Sequence, residues 1–60
     1  MNGNLKKVYV IKDLWDNTYR TDKKEVWHEN LVFAKHYITC EEAERDVIPH
    51  STIITLYVND

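Results

Sequence analysis

The chain has 60 residues, 43% hydrophobic and 12% aromatic, a composition that excludes a disordered tail and allows one thin-cored domain over residues 1–60. Its net charge of −2, from eight basic and ten acidic residues, lacks the basic excess that supplies much of a nucleic-acid binder's affinity. So slim a core supports a scaffold and a binding surface but not a set of pre-organised reacting groups, and we therefore expect no enzyme.

The N-terminal half is predicted to be an antiparallel meander. Residues 5–12 are rich in β-branched and aromatic side chains that alternate, which indicates a strand, and we expect a central one. Asp16 and Asn17 then favour a hairpin turn, since both residue types cap turns and tolerate the left-handed backbone region. Residues 18–21 are the predicted second strand, and the polar residues 22–24 lead to a short third strand over residues 25–28.

Residues 30–35 have two interpretations. Asn30 can cap a single helical turn in which Leu31 and Ala34 lie three apart, but the same run is also compatible with a strand. Residues 36–38 are predicted to be extended.

The clearest local signal is a helix start at Thr39. Thr39 and Glu42 have the spacing of a capping box, in which each side chain bonds the other residue's amide. Cys40, Ala43 and Val47 then form an apolar stripe, and Pro49 ends the helix within about two turns. Residues 51–58 have the strongest β propensity in the chain and should pair with the first strand. The sequence therefore predicts an α+β fold, β-β-β-α-β, with a small antiparallel sheet of about four strands and one short helix on one face.

The order of these signals resembles that of small orphan proteins from bacteriophage genomes. A YVIK strand at residues 9–12 is followed by Tyr19, Trp27, an Ala34-Lys35 step and an EEAE helix at residues 41–44, which together span most of the chain. The resemblance implies a protein that binds and inhibits or redirects a host protein in the host cytoplasm, and it supplies no catalytic or ligand residues.

The chain has few groups suited to metal binding or catalysis. Cys40, His28, His36 and His50 lack the close paired spacing of a zinc site, so we expect no metal and no cofactor. Cys40 at a helix N-terminus, four residues after His36, is a candidate nucleophile, but neighbouring glutamates disfavour its thiolate. We expect Cys40 to be a small buried hydrophobe instead.

The seven aromatic residues are many for so thin a core. Trp15 lies in a predicted turn, where burial is hard to arrange, and with Tyr19 it is a candidate contact residue for a partner. Trp27, Tyr9 and Tyr57 are expected to cover the sheet instead.

The charged residues give two further candidate surfaces. Glu41, Glu42 and Glu44 form an acidic helix face that either is solvated or contacts a basic partner. Nucleic-acid binding is the alternative function, with phosphates held by four lysines and a base stacked on Trp15 or Tyr19; the lysines are Lys6, Lys7, Lys23 and Lys24. A homodimer joined through an unpaired strand edge is a third alternative.

The cellular compartment follows from what the sequence lacks. A lone Cys40 cannot form an intramolecular disulfide framework, the N-terminus lacks the order of a signal peptide, and no apolar run approaches the ~18 residues of a membrane span. We expect a cytoplasmic protein that does not bind membranes.

Overall fold

The computed structural model describes residues 4–59, and the predicted domain 1–60 therefore includes residues 1–3 and 60, which lie outside the described residues. Four strands form one antiparallel sheet in the order β3-β2-β1-β4: β1 Leu5–Asp13, β2 Thr18–Arg20, β3 Trp27–His28 and β4 Ser51–Asn59. A 3-10 turn, Leu31–Phe33, and one helix, α1 Cys40–Glu44, lie between β3 and β4. The predicted α+β class, with its β-β-β-α-β order, is confirmed.

The sheet is built around a long two-stranded ribbon. β1 pairs with β4 without interruption, from Leu5 opposite Asn59 to Asp13 opposite Ser51, as the β propensity of both segments predicts. The predicted central position of the first strand is confirmed, because β2 pairs with the other edge of β1. Tyr37 extends that second edge: its N–H donates to the carbonyl of Tyr9, and the N–H of Tyr9 donates to the carbonyl of Tyr37.

The helix packs on one face of the ribbon. Ala43 is fully buried and contacts Ile11 and Tyr37, while Tyr9, Trp27 and Ile53 surround this cluster. Side chains alternate along a strand, so Val8 and Val10 point to the opposite face, where they too are buried. Burying one such aliphatic side chain stabilises the fold by roughly 1.5–3 kcal/mol, a large part of the total in a domain of this size.

The second and third strands are shorter than predicted. Thr21 lies just beyond β2, where its backbone N–H and its hydroxyl both donate to the carbonyl of Val26, at 3.0 and 2.8 Å, and so close the connection between β2 and β3. Glu25 was predicted to lie in the third strand, but its φ of 64° is in the left-handed region and excludes strand geometry. Asn17 also has a positive φ, 57°, as expected from its residue type.

The alternative left open for residues 30–35 is resolved in favour of a helical turn. The Asn30 side chain accepts a hydrogen bond from the amide of Val32 at 3.0 Å and so caps the 3-10 turn. Only Ala34 becomes buried, and the apolar residues of the turn itself stay substantially exposed.

The helix starts as predicted and ends early. The Thr39 hydroxyl accepts from the amide of Glu42 at 3.2 Å, which is half of the predicted capping box. The prediction that Val47 continues the apolar stripe is wrong, because the helix ends at Glu44 and Val47 is 38% exposed. The amide of Asp46 bonds to the carbonyl of Ala43, a tight last turn that directs the Asp46 carboxylate toward Tyr37.

A polar network ties the segment after the helix to the sheet. The Tyr37 hydroxyl donates to Asp46 Oδ2 at 2.5 Å and accepts from Arg20 Nε at 2.9 Å, and Arg20 Nε also lies 3.3 Å from Asp46 Oδ2. These bonds hold β2, the Tyr37 segment and the end of α1 together and add to the packing of the Tyr37 ring against Ile11 and Ala43. No helix within residues 4–59 is long and apolar enough to cross a membrane.

Two burial predictions fail. Tyr57 was expected to cover the sheet, yet 63% of its surface is exposed, because α1 is too short to cover that end of the ribbon. Cys40 was expected to be buried and is only partly so, since the first turn of the helix is largely open to solvent.

Candidate interaction site

The turn between β1 and β2 is organised by a single buried carboxylate. Asp13 is 5% exposed, and its Oδ1 accepts hydrogen bonds from the amides of Trp15 at 2.8 Å and Asp16 at 3.2 Å. The carbonyl of Asp13 accepts from the amide of Asn17, whose left-handed backbone completes the turn. A short acidic side chain at the end of a strand thus fixes the backbone on which Trp15 is carried.

His50 joins the same turn from the other end of the chain. Its Nε2 lies 3.2 Å from Asp13 Oδ2, and its carbonyl accepts from the amide of Leu14 at 2.9 Å. The Trp15 indole stacks on the His50 imidazole with ring centroids 3.9 Å apart and planes 3° from parallel. One face of the indole therefore packs against the imidazole, a contact that favours this orientation of Trp15.

The supported indole is nevertheless the most exposed large apolar side chain among residues 4–59. Trp15 is 76% exposed and its neighbour Leu14 is 55% exposed, so the two form an apolar tip at this end of the sheet. An aromatic ring held in place loses little side-chain entropy when it binds, which makes it an efficient anchor for a partner.

The electrostatics of the turn favour an ionised Asp13. Burial alone raises the pKa of Asp13, but the amide hydrogen bonds from Asp16 and Trp15 and the nearby His50 imidazole outweigh it, so the pKa lies below its usual value. The carboxylate thus stays charged at neutral pH and keeps its bonds to both segments.

The acidic residues of α1 lie on the same face of the sheet as this turn. Asp13 alternates with Lys12 and therefore points to the face of Ile11, on which α1 packs. Three exposed carboxylates project from the helix: Glu41, Glu42 and Glu44.

Tyr19 lies on the other face. It pairs with Lys12, which alternates with Ile11, so both side chains point away from the helix. Tyr19 is half-buried and the Lys12 ammonium lies 5.9 Å from its ring centroid. The sequence-predicted contact residues therefore divide between two faces, with Tyr19 apart from the helix acids.

The two lysine pairs do not form one continuous surface. Lys6 pairs with Val58 and Lys7 with Tyr57, so these neighbours point to opposite faces of the ribbon. Lys23 and Lys24 are exposed in the connection between β2 and β3. A phosphate backbone on one face would meet only part of this basic set.

The Cys40 thiol and the histidine imidazoles are the remaining groups that could bind a metal or react. Burial first, and then the charges of Glu44 and Glu41, raise the pKa of the Cys40 thiol, which makes it a weak nucleophile at neutral pH. Within residues 4–59 no three histidine, cysteine or acidic side chains converge as metal ligands would. The histidines are dispersed: the Nδ1 of His28 accepts from the amide of Asn30, and His50 supports Trp15.

An open depression of about 370 Å³ lies beside Tyr37, between the extended segment and the end of α1. Burial and the hydrogen bond to Asp46 raise the pKa of Tyr37 to about 12, so its phenol stays protonated at neutral pH. The Tyr37 bond and Arg20 hold the pKa of Asp46 below its usual value. The phenol therefore links Arg20 and Asp46 by hydrogen bonds, and in its neutral form it cannot act as a general base.

A second apolar surface surrounds the 3-10 turn. Val32 is 73% exposed and Phe33 57%, and the Phe33 ring is tilted against His28 with centroids 4.6 Å apart. Phe33, His28 and Val26 border a shallow depression of about 280 Å³.

Sequence reasoning singled out Trp15 but missed the residues that hold it. The sequence places Asp13 just after the predicted first strand and His50 after the helix end and among the possible metal ligands, and neither pattern predicts that they support Trp15. The signal was present in the predicted pairing of the first and last strands, which brings residue 13 close to residue 50 once the register is known.

Comparison with known proteins adds no relative: no protein-family model matches the chain, no curated protein is similar to it in sequence, and no solved structure matches its fold.

Proposed function

We propose that this protein binds a bacterial host protein and inhibits or redirects it, with Trp15 as the central contact residue. The observation that carries the proposal is the combination of 76% exposure with a rigid support: the indole stacks on His50, which Asp13 holds in turn. Exposing so large an apolar side chain gives a small domain no stability, whereas buried tryptophans commonly dominate binding energy at interfaces. The resemblance to phage proteins supports a host protein as the partner.

The acidic helix residues are assigned a secondary role. Glu41, Glu42 and Glu44 lie on the face that carries the Trp15 turn, and they would steer the protein toward a basic partner surface. Tyr19 lies on the opposite face and is left out of this contact surface.

The proposal is tested by capture from a bacterial lysate with immobilised wild-type protein, Trp15→Ala and Val32→Ala. Val32 is similarly exposed, at 73%, but lies on the 3-10 turn, so it controls for nonspecific apolar binding. We expect a partner that wild type and Val32→Ala retain and that Trp15→Ala binds about 30-fold more weakly, as for a loss of ~2 kcal/mol at an interface. Equal capture by Trp15→Ala, or no specific partner, would contradict the proposal.

The steering role has a separate measurement. Replacing Glu41, Glu42 and Glu44 by glutamine should slow association with the captured partner and reduce its salt dependence, while dissociation changes little. An unchanged association rate would restrict the contact surface to the Trp15 turn.

Nucleic-acid binding is the second candidate, favoured by one observation. Lys12 and Tyr19 lie together on the face opposite the helix, an arrangement of cation and aromatic ring that suits a stacked base and its phosphate. Binding by this face, on which Lys6 also lies by strand alternation, should weaken steeply with salt. A gel shift at low ionic strength with no retardation of single- or double-stranded DNA would remove it.

A further inference from the structure

The outer edge of β4 is long and lacks the usual protection against pairing. It runs over nine residues, Ser51–Asn59, and β1 is its only strand partner within residues 4–59. Natural edge strands are typically short, bulged, charged or interrupted by proline, which prevents association with another chain. β4 has no charged residue and no proline, and its pairing with β1 is continuous throughout its length.

The hydrogen bonds of Tyr9 show which backbone groups face outward from β4. Both backbone groups of Tyr9 bond to Tyr37, on the side of β1 away from β4. Tyr9 lies opposite Thr55, so these two residues form a pair without mutual hydrogen bonds, and the N–H and C=O of Thr55 point out of the sheet. The same parity applies at every second residue, so Ile53, Tyr57 and Asn59 also present their backbone groups outward.

The sequence of β4 is complementary to itself about Thr55. In an antiparallel pair of two copies with a two-fold axis there, Thr55 meets Thr55, Ile53 meets Tyr57 and Ile54 meets Leu56. Thr–Thr and aromatic–β-branched pairs are favourable across strands. Ile53, Thr55 and Tyr57 all have outward backbone groups, so each of their pairs exchanges two backbone hydrogen bonds.

The side chains and charges of the edge also favour a second copy. Tyr57 is 63% exposed in the single chain and would lie against Ile53 of the other copy. Each chain has a net charge of −2, yet β4 itself is uncharged, so the two edges meet without opposed like charges. A single pair of edges lies at the small end of the interface sizes of stable complexes, so the association should depend on concentration in the micromolar range or above.

We propose that the chain forms a homodimer in which β4 pairs antiparallel with β4 of a second copy about Thr55. The two four-stranded sheets then form one continuous sheet of eight strands. The Trp15 turns adjoin the Ser51 ends of the two strands, about 27 Å apart along the joined edge at ~3.4 Å per residue. The dimer thus has two copies of the proposed binding turn, but it does not depend on the function of that turn.

The test is the mass of the purified chain by light scattering and sedimentation equilibrium, from about 1 µM to about 1 mM. We expect the mass to rise from 7.2 kDa toward twice that value. Thr55→Lys places two like charges opposite each other at the axis and should weaken the dimer at least about tenfold. Val32→Lys, which adds the same charge on the exposed 3-10 turn, should associate like wild type. A constant 7.2 kDa, or equal effects of both lysines, would overturn the proposal.

Cross-linking tests the same axis independently of any destabilising substitution. In a Cys40→Ser background, oxidised Thr55→Cys should form a disulfide-linked dimer, and Val32→Cys should not. Cross-linking through Val32 in preference to Thr55 would place the contact elsewhere and refute the β4 pairing. Trp15→Ala should leave the dimer mass unchanged and Thr55→Lys should leave lysate capture unchanged, so failure of one proposal is distinct from failure of the other.

Discussion

Replacing Tyr37 by phenylalanine tests whether its hydroxyl stabilises the fold as a strut between the helix end and the sheet. The hydroxyl bonds to Asp46 at 2.5 Å and to Arg20 at 2.9 Å, and the side chain is 3% exposed. A hydrogen bond to a charged group contributes about 1.5–3 kcal/mol, but Arg20 and Asp46 remain close enough to pair without the hydroxyl. We therefore expect Tyr37→Phe to lower the free energy of unfolding by about 1–2 kcal/mol.

The same substitution has a pH signature that a simple packing defect lacks. The folded-state pKa of Tyr37 is about 12, above the value of about 10 for an unfolded tyrosine. A raised folded pKa means that the stabilisation is complete below pH ~10 and is lost as pH rises toward ~12. The stability difference between wild type and Tyr37→Phe should thus narrow by about 1 kcal/mol between pH ~9 and ~11.

Urea unfolding followed by circular dichroism measures both effects. With a slope of ~1 kcal/mol per molar urea, the midpoint of Tyr37→Phe should fall by about 1–2 M at neutral pH. Tyr57→Phe is the matched control, because Tyr57 is 63% exposed, and its midpoint should change little. A stability difference that stays constant from pH ~9 to ~11 would show that burial and the Asp46 bond do not raise the folded-state pKa of Tyr37, and would contradict this reasoning.

Two further substitutions test the backbone and the turn. Glu25→Gly should raise the free energy of unfolding by up to about 1 kcal/mol, since glycine adopts the φ of 64° without strain; Lys24→Gly, in the same connection without a positive φ, should not stabilise. Asp13→Asn should have a lower free energy of unfolding than Asp16→Asn above pH ~4. The difference between the two variants should disappear on acidification, because the lowered pKa of Asp13 gives stability that is lost as its carboxylate is protonated. Denaturant unfolding of the Glu25 and Asp13 variants and their controls, at pH ~2 to ~7, measures both effects.

Local sequence signals predicted the elements well where a single side chain sets the backbone. Thr39 and Asn30 cap their helical turns as expected, and Asn17 adopts the left-handed conformation. The prediction failed where a distant contact overrides propensity. The helix ends at Glu44, where the Asp46 amide bonds to the carbonyl of Ala43 and its carboxylate accepts from Tyr37, although the apolar spacing continues to Val47.

Of the candidate site, too, one part could be predicted from the sequence and another part could not. Trp15 could be identified from the sequence because a tryptophan in a polar turn is difficult to bury in the core. Its support by His50, 35 positions away, was not, since it depends on the register of β1 with β4. The edge of β4 needed the same register, which alone fixes the direction in which the backbone groups of Thr55 point.

The sequence by itself determined the fold class, the strand that lies at the centre and the pairing of the two ends of the chain. Those features follow from alternation, β propensity and capping, all of which act between near neighbours. Only the tertiary structure decided which face each side chain occupies, because a shift of one residue in register moves every side chain of a strand to the other face. That choice separates Tyr19 from the helix acids and places Trp15 on His50.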